Sequence, residues 1–286
     1  MKLYEPSTIK LIKNKYGFRF SKSLGQNFLV DKEVLDSITE GAGLCRDDLV
    51  IEIGPGIGVL TQAAAEKAGK VVAVEIDSDL IEVMRFTLYG LDNVKVINGN
   101  ILKTDIGALI EQEKGALSHV KIIGNLPYYI TTAIIMKLLS DHVDCESITV
   151  MMQKEVGDRI MAAPGSREYG AISAAVQYYS IVNRICEVNK ESFMPRPKVA
   201  SCVLRMDILD TPSAAPEDEE HFFKVIRAAF GQRRKTLLNS LGSIGAPKSM
   251  LADALDQAGI DRNRRAETLT LEEFARLSDT LAHMGF

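Results

Sequence analysis

Short apolar runs alternate with helical patterns over the first half of the chain. Residues 49–53, 71–74, 94–97 and 120–123 are runs rich in Val, Ile and Leu, the pattern of strands buried on both faces of a sheet. Between them, residues 32–41, 59–68 and 79–89 predict helices. In the first of these Val34, Leu35 and Ile38 share a face, and Asp31 stands where a helix cap belongs. Strand and helix in alternation predict an α/β fold. Later, residues 185–188 and 199–206 read as a strand pair joined by a loop containing Pro195 and Pro197. The stretch Thr211-Pro212-Ser213-Ala214-Ala215-Pro216 reads as a linker. Beyond it the pattern is helical only, at residues 221–230, 235–241, 248–258 and 271–283. Residues 1 to about 20 read as a mobile basic arm or a short helix.

The run 49–53 leads directly into Gly54-Pro55-Gly56-Ile57-Gly58 and then a helix. Strand, glycine loop and helix form a nucleotide-binding unit, because glycines let the backbone approach a ligand closely. Dinucleotide folds place a third glycine three positions after the second, but here Gly58 follows Gly56 by two and Val59 occupies the next place. The loop also lacks Lys. Both departures disfavour a pyrophosphate and favour an adenosine-type ligand without phosphates. Glu75 ends the next strand about twenty residues on, where an acid accepts both ribose hydroxyls. Asn100, after the third strand, is placed to meet the adenine of the same ligand. Glu52 reads as a structural hydrogen-bonding group beside the loop rather than a general base.

The run 120–123 ends in Gly124-Asn125-Leu126-Pro127-Tyr128-Tyr129. Pro127 forbids continuing the ladder and leaves nearby carbonyls free to point outward. Asn125 brings an uncharged acceptor, and Tyr128 a flat face on which a base can stack. Such a turn suits the exocyclic amine of a nucleobase. Tyr129 reads as packing.

Composition changes this picture little. The 286 residues, 46% hydrophobic and 25% charged, suit one large and one small domain of a soluble protein. There is no signal peptide or membrane span in the pattern, and a cytoplasmic location is expected. Cys45, Cys145, Cys186 and Cys202 are too scattered for zinc or redox work and are expected to be reduced, mostly buried thiols, with no metal site. Net charge is −4, yet basic residues cluster locally. Lys2, Lys10, Lys13, Lys15, Arg19 and Lys22 crowd the start, and Arg233-Arg234-Lys235 and Arg262, Arg264, Arg265 lie near the end. A nucleic-acid backbone is recognised by such local faces rather than by the total.

Taken together, the segment from Glu52 to Gly58, Glu75 and Asn125-Leu126-Pro127-Tyr128 resemble the S-adenosylmethionine-dependent ribosomal RNA adenine dimethyltransferases. The opening Leu24-Gly25-Gln26-Asn27-Phe28-Leu29 is similar to that family's N-terminal motif. Glu168-Tyr169-Gly170, Gln177-Tyr178-Tyr179 and the stretch from Phe193 to Ser201 match as well, so the resemblance covers nearly the whole chain. Phe230-Gly231-Gln232-Arg233-Arg234-Lys235 is similar to the housekeeping KsgA-type branch, which acts on small-subunit rRNA. One departure is Asn100, where the family usually has Asp.

The resemblance implies a basic N-terminal arm (1–22), a Rossmann-like methyltransferase domain (23–208) and a small all-helical C-terminal domain (209–286). It implies S-adenosylmethionine as cofactor, held by Gln26, Asn27, Leu29, Gly54, Gly56, Glu75, Ile76, Asn100 and Asn125. Asn125, with the carbonyl of Leu126 or Pro127, would hold the adenine amine, and Tyr128 and Phe193 would sandwich the base. Arg196, Lys198, Arg233, Arg234 and Lys235 would contact RNA. The expected substrate is 16S rRNA in the immature 30S subunit, dimethylated at two adjacent adenosines near its 3′ end during ribosome biogenesis, by a monomer. The alternatives are a large-subunit rRNA methyltransferase, a DNA adenine methyltransferase, against which Leu126 stands where a Pro belongs, and a non-catalytic assembly factor.

Overall fold

The computed structural model describes residues 1–18, 21 and 25–286; Arg19 and Lys22 of the basic segment, and Ser23 and Leu24 at the opening motif, lie outside the described residues. The strands are β1 (Phe28–Leu29), β2 (Asp48–Ile53), β3 (Lys70–Glu75), β4 (Val94–Asn98), β5 (His119–Asn125), β6 (Ser147–Gln153), β7 (Ser180–Val188), β8 (Phe193–Met194) and β9 (Ser201–Ile208). The helices are α1 (Pro6–Tyr16), α2 (Lys32–Gly41), α3 (Val59–Ala65), α4 (Ser78–Thr87), α5 (Ile106–Lys114), α6 (Thr131–Ser140), α7 (Lys154–Ile160), α8 (Ala171–Tyr179), α9 (Glu219–Phe230), α10 (Leu237–Ser240), α11 (Lys248–Gln257) and α12 (Leu271–His283).

The main sheet runs β4-β3-β2-β5-β6-β9-β7. Its first five strands are parallel, and β9 joins β6 antiparallel. β2 is buried at every residue, which is why its sequence shows no polar alternation beyond Asp48 and Glu52. The chain winds outward through β2, β3 and β4, then returns to lay down β5 and β6 on the other side of β2. That reversal opens a crevice at the carboxyl ends of β2, β3 and β5, the place where open α/β sheets bind ligands. A small antiparallel ribbon, β1 with β8, pairs Phe28 with Met194 and Leu29 with Phe193.

The strongest local signals form the elements they predict. Asp31 caps α2 by accepting from the N–H groups of Glu33 and Val34. Residues 271–283 form α12, closed at its start by a reciprocal pair between Thr270 and Glu273. α3 stops at Ala65, short of the expected residue 68, because Lys67 N–H turns back to the Ala64 carbonyl. The N-terminal segment is not a mobile arm. It forms α1, with Leu3, Ile9, Ile12 and Phe18 buried in the core that also holds Phe28 and Leu35. Its lysines stand on the outer face and mask that amphipathic pattern in the sequence. The thiols are also less uniform than expected: Cys145 and Cys202 are buried and Cys186 half-buried, but Cys45 is exposed.

The chain packs as two compact units, Met1–Gly157 with Val182–Ile208, and Asp158–Ile181 with Leu209–Phe286. The second is helical, with Phe222, Phe274, Leu251, Leu255 and Leu277 at its centre. Within it Tyr178 and Tyr179 both donate to the Glu219 carboxylate, at 3.2 and 2.6 Å. Residues 211–216 are not a free linker, since Ser213 N–H donates to the Tyr178 carbonyl and Ala214 is buried.

Candidate active site

The glycine loop after β2 is shaped by two requirements at Gly56. Its φ is +64°, and a Cβ there would lie 2.8 Å from the Phe28 ring. The Gly56 N–H donates to Glu75 Oε2 at 3.1 Å, and Asp77 N–H donates to Glu75 Oε1 at 2.9 Å. Glu75 is 5% exposed. Burial raises its pKa above the usual carboxylate range, and these backbone N–H groups pull it back. The carboxyl thus ties the loop to the start of α4 while keeping lone pairs for a ligand.

The opening motif closes over the crevice from both sides. Gln26 Nε2 donates to Asp77 Oδ2 at 2.7 Å on the β3 side. On the β5 side, Asn125 Nδ2 donates to the Asn27 carbonyl at 2.8 Å. This bond fixes the plane of the Asn125 amide and leaves Oδ1 as its acceptor. Beyond it, the Pro127 carbonyl already accepts from Ile130 N–H and Thr131 Oγ1, at 3.2 and 3.0 Å. The Leu126 carbonyl accepts from no group among the described residues and is the open carbonyl of the turn. The Tyr128 hydroxyl meets Ser201 Oγ at 2.7 Å and steadies the ring.

These groups enclose a cavity of about 240 Å³. Gln26, Asn27, Leu29, Gly54, Gly56, Glu75, Ile76, Asn100, Asn125, Leu126, Pro127 and Tyr128 all line it. Phe193 does not. It is 4% exposed and belongs to the core behind the β1–β8 ribbon, so the expected sandwich has one of its two rings at the cavity. Tyr129, read as packing, is 60% exposed and lines the cavity. Asn100 Oδ1 accepts from Leu102 N–H at 3.0 Å, a local turn that Asp would make equally well.

Glu52 departs from what its position predicts. It lines the cavity at 1% exposure, and among the described residues its Oε2 has no hydrogen-bond partner. It is not the satisfied structural group its position suggested. Burial pushes its carboxyl up to about 8, the Thr61 hydroxyl pulls the other way, and the Glu75 charge adds to the rise. A carboxyl raised on folding stabilises the protein fully below its unfolded pKa, and that contribution is lost as pH climbs through the folded value. The urea midpoint of the ligand-free protein should accordingly fall between about pH 5 and pH 8. Glu52→Gln should flatten that decline; an unchanged slope would assign it to another group, Glu75 first.

The basic residues lie elsewhere. Arg196 and Lys198, with Lys13, line a second hollow that shares the wall Gly25 to Asn27 with the first. Arg196 is paired with Glu191. In the second unit Arg233 and Arg234 line a shallow hollow with Arg167 and Arg265, and Lys235 is exposed beside them. Among the described residues no helix is long and apolar enough to cross a membrane, and no cluster of His, Cys, Asp and Glu could hold a metal ion.

An open α/β sheet with a crevice at its reversal point, a glycine loop without Lys on one side and a neutral amide at its edge, is the architecture of a Rossmann-like methyltransferase. The chain belongs to the ribosomal RNA adenine dimethylase family, whose model matches residues 17–283. A relative in Alkaliphilus oremlandii, named ribosomal RNA small subunit methyltransferase A, is 52% identical over 283 residues, 98% of each chain. Among solved structures, a dimethyladenosine transferase from Plasmodium falciparum is similar at 26% identity and a TM-score of 0.71, over 87% of this chain and 95% of that one. The 23S rRNA methyltransferase ErmE is similar at 26% identity and a TM-score of 0.65, over 90% and 100%.

Proposed function

We propose that this enzyme transfers methyl groups from S-adenosylmethionine to the 6-amino groups of two adjacent adenosines near the 3′ end of 16S rRNA, acting as a cytoplasmic monomer on the immature 30S subunit. The observation that carries the reading is the Asn125 amide, whose Nδ2 is locked by the Asn27 carbonyl and whose Oδ1, next in sequence to the Leu126 carbonyl, accepts from no group among the described residues. The 52% identity to a small-subunit enzyme, against 26% to ErmE, supports the small-subunit branch.

The cavity suits the cofactor, because it is lined by two buried carboxyls and by no Lys, Arg or His. When bound, S-adenosylmethionine supplies a methyl already activated on a positive sulfur, so the chain's task is alignment. Glu75 would accept from the ribose hydroxyls, and Ile76, 49% exposed at the cavity, would pack on the adenine. The target adenosine is extruded from its stack. Asn125 Oδ1 and the Leu126 carbonyl accept its two amine hydrogens and turn the nitrogen lone pair toward the methyl. Tyr128 stacks on the base, worth roughly 1–3 kcal/mol. Phe193 acts through the ribbon that carries Leu29.

Asn100 gives a direct check on the cofactor end. With Asp there, one oxygen would keep the Leu102 N–H and the other would accept from the cofactor's adenine amine. Asn100→Asp should bind S-adenosylmethionine equally well or several-fold tighter by calorimetry. A clear loss would mean that the Asn amide donates rather than accepts.

Arg196, Lys198, Arg233, Arg234 and Lys235 contact RNA phosphates in this reading. Affinity for the subunit should fall steeply with salt, and Arg234→Ala should lower the slope of log K against log salt by about 1. A slope unchanged by the substitution would remove Arg234 from the interface.

The deciding experiment is transfer of labelled methyl to immature 30S subunits, with mono- and dimethyladenosine resolved. Dimethyladenosine at two neighbouring small-subunit positions is expected. Methylation of large-subunit RNA alone, or subunit binding without transfer, would overturn the proposal.

A further inference from the structure

The turn after β5 carries two consecutive tyrosines in opposite surroundings. The Tyr128 ring is half-buried at the cavity, and its hydroxyl meets Ser201 Oγ. Tyr129 lines the same cavity but is 60% exposed, and its hydroxyl has no hydrogen-bond partner among the described residues. One edge of its ring rests on the closing segment, since a Cβ at Gly25 would lie 3.5 Å from Tyr129 Cδ1 and 3.7 Å from Cε1. That segment is itself held, by Gln26 on Asp77 and by Asn27 Nδ2 donating to the Gly25 carbonyl at 3.0 Å. The turn is held too, because the Pro127 carbonyl accepts from Ile130 and Thr131. The ring is therefore braced along one edge and open over most of its surface.

A braced aromatic ring left open at the edge of a ligand cavity is a surface for something that binds there. The cofactor does not cover it. Glu75 and Ile76, which meet the ribose and adenine in the reading above, stand at the end of β3, whereas Tyr129 follows β5, across β2 from them. The target base does not cover it either, being held by Asn125, Leu126 and Tyr128. Consecutive Cα atoms are about 3.8 Å apart, so a nucleotide joined to the target comes within reach of the next ring along the turn. We propose that Tyr129 positions the substrate by stacking on the nucleotide beside the target, the other of the two adjacent adenosines while the first occupies the cavity. This rests on the substrate reading above.

Extruding an adenosine costs the stacking between it and its neighbour. The Tyr129 ring gives the neighbour a replacement face and so lowers the cost of holding the target in the cavity. Stacking needs only a π face, and the fused rings of adenine overlap a tyrosine more fully than a pyrimidine does. The contact carries no charge, so salt dependence stays with the basic residues. It makes no use of the hydroxyl, and Phe should serve as well as Tyr.

The test uses 30S subunits reconstituted with 16S rRNA in which one or the other of the two adenosines is abasic, and reads methyl transfer to the remaining one at saturating S-adenosylmethionine. Removing the partner base should lower wild-type kcat/KM about tenfold in at least one of the two arrangements. Tyr129→Leu keeps an apolar contact for Gly25 but has no flat face, and because the ring is mostly exposed the change leaves the core intact. On intact subunits this variant should lose about tenfold, through KM, and on the sensitive abasic subunits nothing further. Tyr129→Phe should stay within about twofold of wild type throughout. In Tyr129→Leu the affinity for S-adenosylmethionine by calorimetry and the slope of log K against log salt should be unchanged. Losses that multiply, a Leu variant as active as wild type, or a drop in cofactor affinity that accounts for the loss would overturn the proposal, the last leaving Tyr129 only a brace for the closing segment. A wild-type enzyme that methylates neither adenosine of the unaltered subunit would instead remove the substrate reading, and this inference with it.

Discussion

Asn125→Ala is expected to slow methyl transfer by about a hundredfold or more while leaving S-adenosylmethionine affinity within a few-fold. An adenine amine is a weak nucleophile, because its lone pair is delocalised into the ring. The chain offers no general base at the turn, only two acceptors: Asn125 Oδ1 and the Leu126 carbonyl. Removing one lets the amine rotate, and misplacement by about 1 Å is enough to cost a hundredfold. The cofactor contacts survive, because Glu75 keeps its bonds to Gly56 and Asp77. A modest loss of cofactor affinity comes from the missing bond to the Asn27 carbonyl, which holds one side of the closing segment. Single-turnover rates at saturating cofactor separate the two effects. Near-normal turnover would refute the role given to Asn125.

Glu75→Ala should have the reverse signature, weakening S-adenosylmethionine binding by about a hundredfold or more with a smaller change in the rate at saturation. Two ribose hydroxyls lose a charged acceptor, at about 1.5–3 kcal/mol for each hydrogen bond to a charged group. The variant also strands the N–H groups of Gly56 and Asp77, so the loop that approaches the ligand loosens. Glu75→Gln should fall between the two, since an amide oxygen can still accept but without the charge. Cofactor affinity measured by calorimetry that does not change in Glu75→Ala would sink the assignment.

Much of this site was legible before the fold was known, for reasons that can be named. The carboxyl ends of buried strands are marked by Gly54, Glu75 and Asn125 themselves, and Pro127 ends the ladder two residues beyond β5. Those signals are local. The basic start of the chain left arm and helix both open, because its buried positions, Leu3, Ile9 and Ile12, are few among many lysines, and burial of a helix face is decided by what it packs on. Phe193 misled for a related reason. An aromatic after a proline-rich turn suits either a stacking surface or a core, and pairing with Leu29 in the β1–β8 ribbon put it in the core.

By itself, the sequence determined the alternation of strands and helices up to β5, the all-helical end of the chain, the cap at Asp31, the tight loop at Gly56 and the chemical types gathered at the site. Each depends on neighbours a few residues apart, whose sterics and hydrogen bonds act in any context. Tertiary structure alone decided that Asn27 locks Asn125 from 98 residues away. It alone decided that Pro127 spends its carbonyl on α6 and that Glu52 is left without a partner. Whether a polar atom is satisfied depends on every group folded around it, and no stretch of chain carries that information alone.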